Sequence, residues 1–181
     1  MKRIVLIILL FSGIIGRSQS VDTIIYSTGD KYIGQLKNGF ADGQGTMYWI
    51  DGGSYTGEWD YGNISGTGTM VWGNGNTYTG RWKDSKTEGF GKMIWANGDV
   101  YQGEWKNDLR HGKGTMKWAE GGVYIGQWHD DLHHGKGVMT WSTGEVYDGQ
   151  WKDGNITGKG IMKYANGNIT KGKWIDGVFQ K

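Results

Sequence analysis

The segment from His129 to His134 holds three histidines and two aspartates within six residues, a composition typical of metal-binding segments. A metal site needs a fixed shell of three or four ligands, which one flexible loop rarely supplies. The equivalent loop 23 residues earlier, Lys106–His111, does not carry a matching set of ligands. We therefore interpret the segment as a polar loop and predict no metal and no other cofactor.

A second candidate is the triplet Gly-Lys-Gly, which occurs at residues 112–114, 135–137 and 158–160. A phosphate-binding P-loop needs Gly-x4-Gly-Lys-Ser/Thr between a strand and a helix, and this pattern is absent from the sequence, so nucleotide binding is rejected. The three lysines, Lys113, Lys136 and Lys159, share one position of a repeat and should form a row with about 10 Å spacing. Such a row is either a solvated strand face or a contact for anionic head groups or an acidic protein.

Aromatic residues form the third candidate, because the string Tyr-x-Gly-x-Trp recurs every 23 residues. All 11 tryptophans fall in two columns of this repeat. The rings either pack on each other or stack on a carbohydrate or peptide. We expect packing to dominate, with partial exposure leaving an interaction surface. The candidate interaction face comprises Tyr55, Trp59, Trp72, Tyr78, Trp82, Trp95, Tyr101, Trp105, Trp118, Tyr124, Trp128, Trp141, Tyr147 and Trp151.

The elements that must position these residues are β-strands. Large apolar residues and glycines alternate with Thr, Lys, Gln and Glu, so Tyr, Trp, Met and Gly should share one face of each strand. Asn-Gly pairs such as Asn74-Gly75 and Asn97-Gly98 predict tight hairpin turns between strands. The other connection, such as Lys106–His111, is expected to be longer and polar.

Glycine within a strand costs roughly 0.5–1 kcal/mol relative to alanine, so the strand glycines require a reason. We expect a missing side chain to leave room for a neighbouring indole to lie flat. Each buried aromatic covers about 150–250 Å², and at about 25 cal/mol per Å² this burial outweighs the penalty. The sheet should therefore be stable only when each hairpin covers the next.

Composition narrows the possible classes of function. The 181 residues include 35 Gly but no Pro and no Cys, which excludes collagen, disulfides and a cysteine nucleophile. A formal net charge of +2 argues against a nucleic-acid partner. The charge is uneven, however, with 6 basic and 10 acidic residues in 21–105 and 11 basic and 8 acidic residues in 106–181.

The N-terminal segment has the pattern of a signal peptide. Lys2 and Arg3 precede an apolar run from Ile4 to Ile15, and small residues follow at the spacing of a cleavage site after Ser20. The run is short for a membrane-spanning helix, which needs about 20 apolar residues. We predict a signal peptide over 1–20 and a location in the periplasm, at the cell surface or outside the cell. An uncleaved membrane anchor is the alternative.

The repeat pattern Tyr-x-Gly-x-Trp-Lys, followed by His-Gly-x-Gly-x-Met, closely resembles the MORN repeat (membrane occupation and recognition nexus). The resemblance covers residues 22–179, about seven repeats of which the first and last are partial. It implies an all-β fold, an elongated single-layer twisted antiparallel sheet of consecutive hairpins. It also implies scaffolding, protein interaction, self-association or phosphoinositide binding.

No cluster of Ser, His and acidic residues departs from the repeat in the way that a catalytic site would. We therefore predict a chain that is not an enzyme. The preferred hypothesis is an exported scaffold that binds another protein or itself. The alternative is a peripheral membrane module that contacts anionic lipid through the lysine row.

Overall fold

The computed structural model describes residues 20–181, which form strands and turns without any helix. The predicted signal peptide lies outside these described residues apart from Ser20, and it remains a prediction. Over the same part of the chain, nothing combines the helical length and apolar character that a membrane-spanning helix requires.

The chain forms two compact units, one ending at Lys86 and the other spanning Thr87–Lys181. The first unit contains β1 (Val21–Ile25), β2 (Lys31–Lys37), β3 (Phe40–Tyr48), β4 (Ser54–Asp60), β5 (Asn63–Val71) and β6 (Thr77–Lys83). The second contains β7 (Lys86–Ile94) except for its first residue, β8 (Val100–Lys106), β9 (Leu109–Lys117), β10 (Val123–His129), β11 (Leu132–Thr140), β12 (Val146–Lys152), β13 (Asn155–Lys163), β14 (Ile169–Ile175) and β15 (Val178–Gln180).

Within each unit, every strand pairs antiparallel with the strands that precede and follow it in sequence. In the pair of β5 and β6, Met70 lies opposite Tyr78 and Gly68 lies opposite Gly80. These residue types therefore share one face, which we call the aromatic face, as the alternation predicts. The prediction of a single antiparallel layer of consecutive hairpins is confirmed in each unit.

The prediction about turn lengths is wrong. The polar connection between β8 and β9 is the tight one, since Lys106 pairs with Leu109 across a turn of only Asn107 and Asp108. Both turn residues have positive φ, 49° and 69°, as a two-residue type I′ turn requires. The physical reason is that asparagine and aspartate adopt this conformation more readily than most side chains do, so the turn does not need a glycine.

The pairs Asn74-Gly75 and Asn97-Gly98 instead lie in five-residue connections. Between β7 and β8, the Trp95 N–H donates to the Asp99 carbonyl at 2.9 Å, which closes the loop at its base. The Gly98 N–H donates back to the Trp95 carbonyl at 2.9 Å. Gly98 has a φ of 91°, so this loop needs its glycine at one position and forms a wider turn than Asn-Gly usually indicates.

The core of each unit is a layer of rings on the aromatic face. In the second unit, Tyr101, Tyr124 and Tyr147 are 0% exposed although no second sheet covers them within the described residues. Trp128 meets Tyr124 and Tyr101 edge to face, at centroid distances of 5.1 and 5.4 Å. Tryptophans of neighbouring hairpins therefore cover each tyrosine, and this ring-on-ring contact replaces the second layer of an ordinary sandwich.

The strand glycines make room for a ring, but the ring is tyrosine and not the predicted indole. A Cβ on Gly137 would lie 2.3 Å from the hydroxyl oxygen of Tyr124. The Tyr124 hydroxyl passes over this glycine to donate to the Gln127 carbonyl at 2.9 Å. The indole contacts the same glycine in another way, since Trp151 Nε1 donates to the Gly137 carbonyl at 3.2 Å. Tyrosine takes this place because its terminal hydroxyl can reach a backbone carbonyl in the bulged strand pair.

Candidate functional site

The face opposite the rings, which we call the lysine face, carries a groove in the second unit. Its volume is about 940 Å³, and it crosses β7 to β11. Phe90 and Ile125 line it and are each 57% exposed. Four lysines surround these apolar side chains, namely Lys92, Lys113, Lys117 and Lys136. None of the side chains that line this groove is acidic.

A second groove, of about 610 Å³, continues on the same face of this unit. Lys136 lines both grooves, while Lys159, Lys171 and Lys173 line only the second. Asp148 is its single acidic lining residue. The predicted lysine row of Lys113, Lys136 and Lys159 therefore lies along one continuous surface, the lysine groove.

A β-bulge fixes the backbone at each lysine of the predicted row. Between β10 and β11 the pairing shifts from Gly126–Gly137 to Gln127–His134. The Gln127 side chain then accepts a hydrogen bond of 2.8 Å from the backbone N–H of Lys136. Bulges redirect side chains, and here the pinned backbone places the lysine in the groove. The same bond recurs from Lys113 to Glu104 at 2.8 Å and from Lys159 to Gln150 at 3.0 Å.

Within the described residues, the lysines of the groove form no salt bridges. Lys159 lies directly opposite Lys173 in the pair of β13 and β14, and like charges in this position destabilise a sheet. Among the described residues, no carboxylate forms a salt bridge with Lys113, Lys136, Lys159 or Lys173. An anionic ligand would relieve this repulsion.

The predicted aromatic interaction face is mostly part of the core. Its tyrosines are 0% exposed, and the tryptophans of its first column, such as Trp128, are buried as well. The second column is half-buried, and it comprises Trp72, Trp95, Trp118 and Trp141. Trp118 and Trp141 line a cavity of about 500 Å³ beside the five-residue loops of the second unit. Any interaction through this face is therefore confined to the second column.

The structure brings His111 beside His129 and Asp130, which are consecutive in the sequence. His111 on β9 lies beside His129 at the end of β10, with ring centroids 5.1 Å apart. Asp130 lies between them, with one carboxylate oxygen 3.2 Å from His111 Nδ1 and the other 3.8 Å from His129 Nδ1. His134 on β11 lies 5.5 Å from His129 between ring centroids and pairs with Asp153 at 3.6 Å.

His133 and Arg110 place polar side chains in the aromatic layer, where other repeats carry Ile64 and Ile156. His133 stacks on Tyr124 at a centroid distance of 3.8 Å. The guanidinium of Arg110 lies 4.5 Å from the Trp128 ring and pairs with Asp131 at 2.7 Å. Burial, and to a smaller extent the positive charge of Arg110, lowers the pKa of His133 to about 4.

Replacing His133 with isoleucine should make the melting temperature less sensitive to acid. The unfolded chain takes up a proton at His133 below its ordinary pKa of 6.5, whereas the folded chain does so only near pH 4. The parent therefore loses stability as the pH falls from 6.5 to 4. Thermal melts at pH 7 and pH 4 should show a smaller drop for His133→Ile than for the parent and for the control His134→Thr. Equal drops in all three proteins would contradict this role of His133.

Two parts of the site were not anticipated from the sequence. The groove residues Phe90, Lys92 and Ile125 occupy variable positions between the Tyr, Gly and Trp columns, and their alternation with those columns is the signal that could have found them. A Glu or Gln also recurs directly before four tryptophans of the first column, Trp59, Trp105, Trp128 and Trp151, and this recurrence was a signal. The sequence did not show which backbone N–H donates to this side chain, because the bulge changes the strand pairing.

The family model of the MORN repeat matches six consecutive segments of this chain, 32–54, 55–77, 78–100, 101–123, 124–146 and 147–169. These segments cover more than half of the sequence without a gap. None of the curated proteins gives a significant match to the sequence.

Two solved structures match this chain, and the first of them resembles its fold. The TCP domain of SAS-4 (dCPAP) from Drosophila melanogaster, in complex with a proline-rich motif of Ana2 (dSTIL), is 12% identical with a TM-score of 0.50, covering 87% of this chain and 86% of that domain. A point mutant of the TCP10 domain of Danio rerio CPAP is 12% identical with a TM-score of 0.29, covering 85% of this chain and 89% of the other. At this identity, the first similarity concerns the fold alone.

Proposed function

Because this chain belongs to the MORN-repeat family, whose repeats form interaction scaffolds for proteins or membranes, we propose that it is a non-enzymatic scaffold for a protein partner. In the exported form that its N-terminal segment predicts, it binds an extended, acidic segment of that partner in the lysine groove. The single observation that supports this proposal best is the set of unpaired lysines around exposed apolar side chains.

The shape and chemistry of the groove favour an extended polypeptide. A strand-like segment can follow a groove across neighbouring strands and cover Phe90 and Ile125, which are each 57% exposed. Acidic side chains on that segment would lie near Lys113 and Lys136 and relieve their unpaired charge. The apolar contacts supply affinity, and the charge pattern selects the partner.

The resemblance to the SAS-4 TCP domain supports the same class of ligand. That domain was solved in complex with a proline-rich motif. Proline-rich segments are extended and have little conformational entropy to lose on binding. An extended segment is therefore a reasonable class of ligand to test on this chain. For the present chain, the lysines indicate that the segment is acidic.

An anionic membrane is the weaker alternative. Each surface lysine near such a membrane contributes about 1 kcal/mol, so the seven lysines that line the two grooves supply at most roughly 7 kcal/mol, from which Asp148 subtracts. This corresponds to an affinity no tighter than about 10 micromolar. A flat bilayer also cannot enter the groove to cover Phe90 and Ile125, whereas an extended segment can.

A fluorescent decapeptide of alternating Glu and Pro is a suitable probe, because it is acidic and extended. Anisotropy should show that the full chain binds it and that the double variant Lys113→Glu/Lys136→Glu binds it at least about tenfold more weakly. The matched control is Lys106→Glu/Lys152→Glu, which reverses two exposed lysines of the same unit outside both grooves. This control should change the affinity less than about twofold, because its lysines do not line the ligand site.

Three results would contradict the proposal. One is equal binding of a decapeptide of alternating Lys and Pro. Another is an equal loss of affinity in the control variant. The third is binding only to vesicles that contain phosphatidylglycerol, which would favour the membrane alternative. Melting temperatures near that of the parent would show that the double variants are folded.

A further inference from the structure

We propose that His111, His129 and Asp130 bind a divalent transition metal ion of the Zn²⁺ class. The sequence argued against a metal on the ground that a single loop would have to supply all ligands. In the structure the ligands come from two neighbouring strands and the turn that follows one of them, because Gly112 pairs with Trp128 and this register brings His111 beside His129. Strand pairing therefore positions two of the three ligands.

The distances between the ligand atoms suit one ion. One nitrogen of each imidazole and one oxygen of the Asp130 carboxylate all lie within 4.8 Å of one another. In a tetrahedral zinc site, metal–ligand bonds of 2.0–2.1 Å place ligand atoms roughly 3.3 Å apart. His129 and Asp130 are exposed and His111 is half-buried, so rotation of their side chains can close this difference.

The chemistry of the ligands selects the class of metal. Two imidazoles and a carboxylate suit Zn²⁺, Cu²⁺ or Ni²⁺, whereas Ca²⁺ and Mg²⁺ prefer a shell made only of oxygen. Three protein ligands leave a fourth position for water or for a side chain of a bound partner. The site lies at the ends of the strands that the tight turns connect, since Asp130 is the first residue of one of these turns.

The repeat supplies conservative variants for testing the site. Equivalent positions in other copies carry Ser65, Lys106 and Asn107, so His111→Ser, His129→Lys and Asp130→Asn each introduce a residue that this fold already accommodates. The matched control is His134→Thr, which introduces the residue found at Thr157. His134 is adjacent to the site but pairs with a different carboxylate, that of Asp153.

Isothermal titration of the full chain, without a polyhistidine tag, with ZnCl2 should show one ion bound per chain. Each of His111→Ser, His129→Lys and Asp130→Asn should weaken binding by more than about tenfold, and His134→Thr should change it less than about twofold. Melting temperatures without zinc would confirm that each variant is folded. Absence of binding to the parent would overturn the proposal. A loss of binding in His134→Thr with none in His111→Ser would overturn it as well.

Discussion

Replacing Trp128 with alanine should lower the free energy of unfolding by about 3–5 kcal/mol, the range measured for large aromatic truncations in packed sites. The Trp128 ring is 3% exposed and lies between two hairpins. It contacts Tyr101 and Tyr124 edge to face, and its Nε1 donates to the Gly114 carbonyl at 3.4 Å. The variant loses these contacts, and residues 20–181 contain no second layer that could move in to fill the cavity.

Urea denaturation followed by circular dichroism measures this loss. A matched control is Ile125→Ala, three residues earlier on the same strand, where the side chain is 57% exposed and lines the groove. It should cost less than about 0.5 kcal/mol, as surface substitutions usually do. If Trp128→Ala unfolds at the same urea concentration as this control, the ring layer is not the source of stability.

Replacing Gly137 with alanine should cost about 3 kcal/mol, at the upper end of the range for overpacking. The new Cβ would lie 2.3 Å from the Tyr124 hydroxyl oxygen and 2.6 Å from the ring carbon that bears it. Tyr124 cannot retreat, because Trp128 and Trp151 hold its ring at centroid distances of 5.1 and 5.5 Å. The clash must therefore be relieved by displacing the ring or the strand.

Gly144→Ala is the comparison for this prediction. A Cβ at Gly144 would meet no atom within 4 Å, so only its φ of 93° penalises alanine there. The expected cost of that strain is about 1–2 kcal/mol. Melting temperatures of the two variants separate steric overlap from backbone strain. A smaller loss for Gly137→Ala than for Gly144→Ala would contradict the assigned role of the strand glycine.

Much of the fold could be predicted because it follows from sequence patterns that are local and that repeat along the chain. The alternation along a strand assigns Met70 and Tyr78 to one face, and the constant 23-residue step places equivalent residues in register. The row of Lys113, Lys136 and Lys159 follows from the same two facts. Strand geometry alone therefore locates these lysines on the lysine face of a repeat sheet.

Turn type was decided by factors beyond the residue pair itself. Asn97-Gly98 usually indicates a two-residue turn, yet here Trp95 and Asp99 close a wider loop through backbone hydrogen bonds. The number of residues in the turn is determined by the backbone hydrogen bonds of the residues that flank it. The sequence of the turn alone does not contain that information.

The sequence by itself determined the repeat, the strands, the two faces and the positions of their lysines and rings. Only the tertiary structure decided that tyrosine covers the strand glycines and that His111 joins His129 and Asp130. The physical reason is that faces follow from the geometry of one strand, whereas contacts across strands depend on register. Each bulge shifts that register, since Glu104 pairs with His111 next to the pair of Gly103 and Gly114.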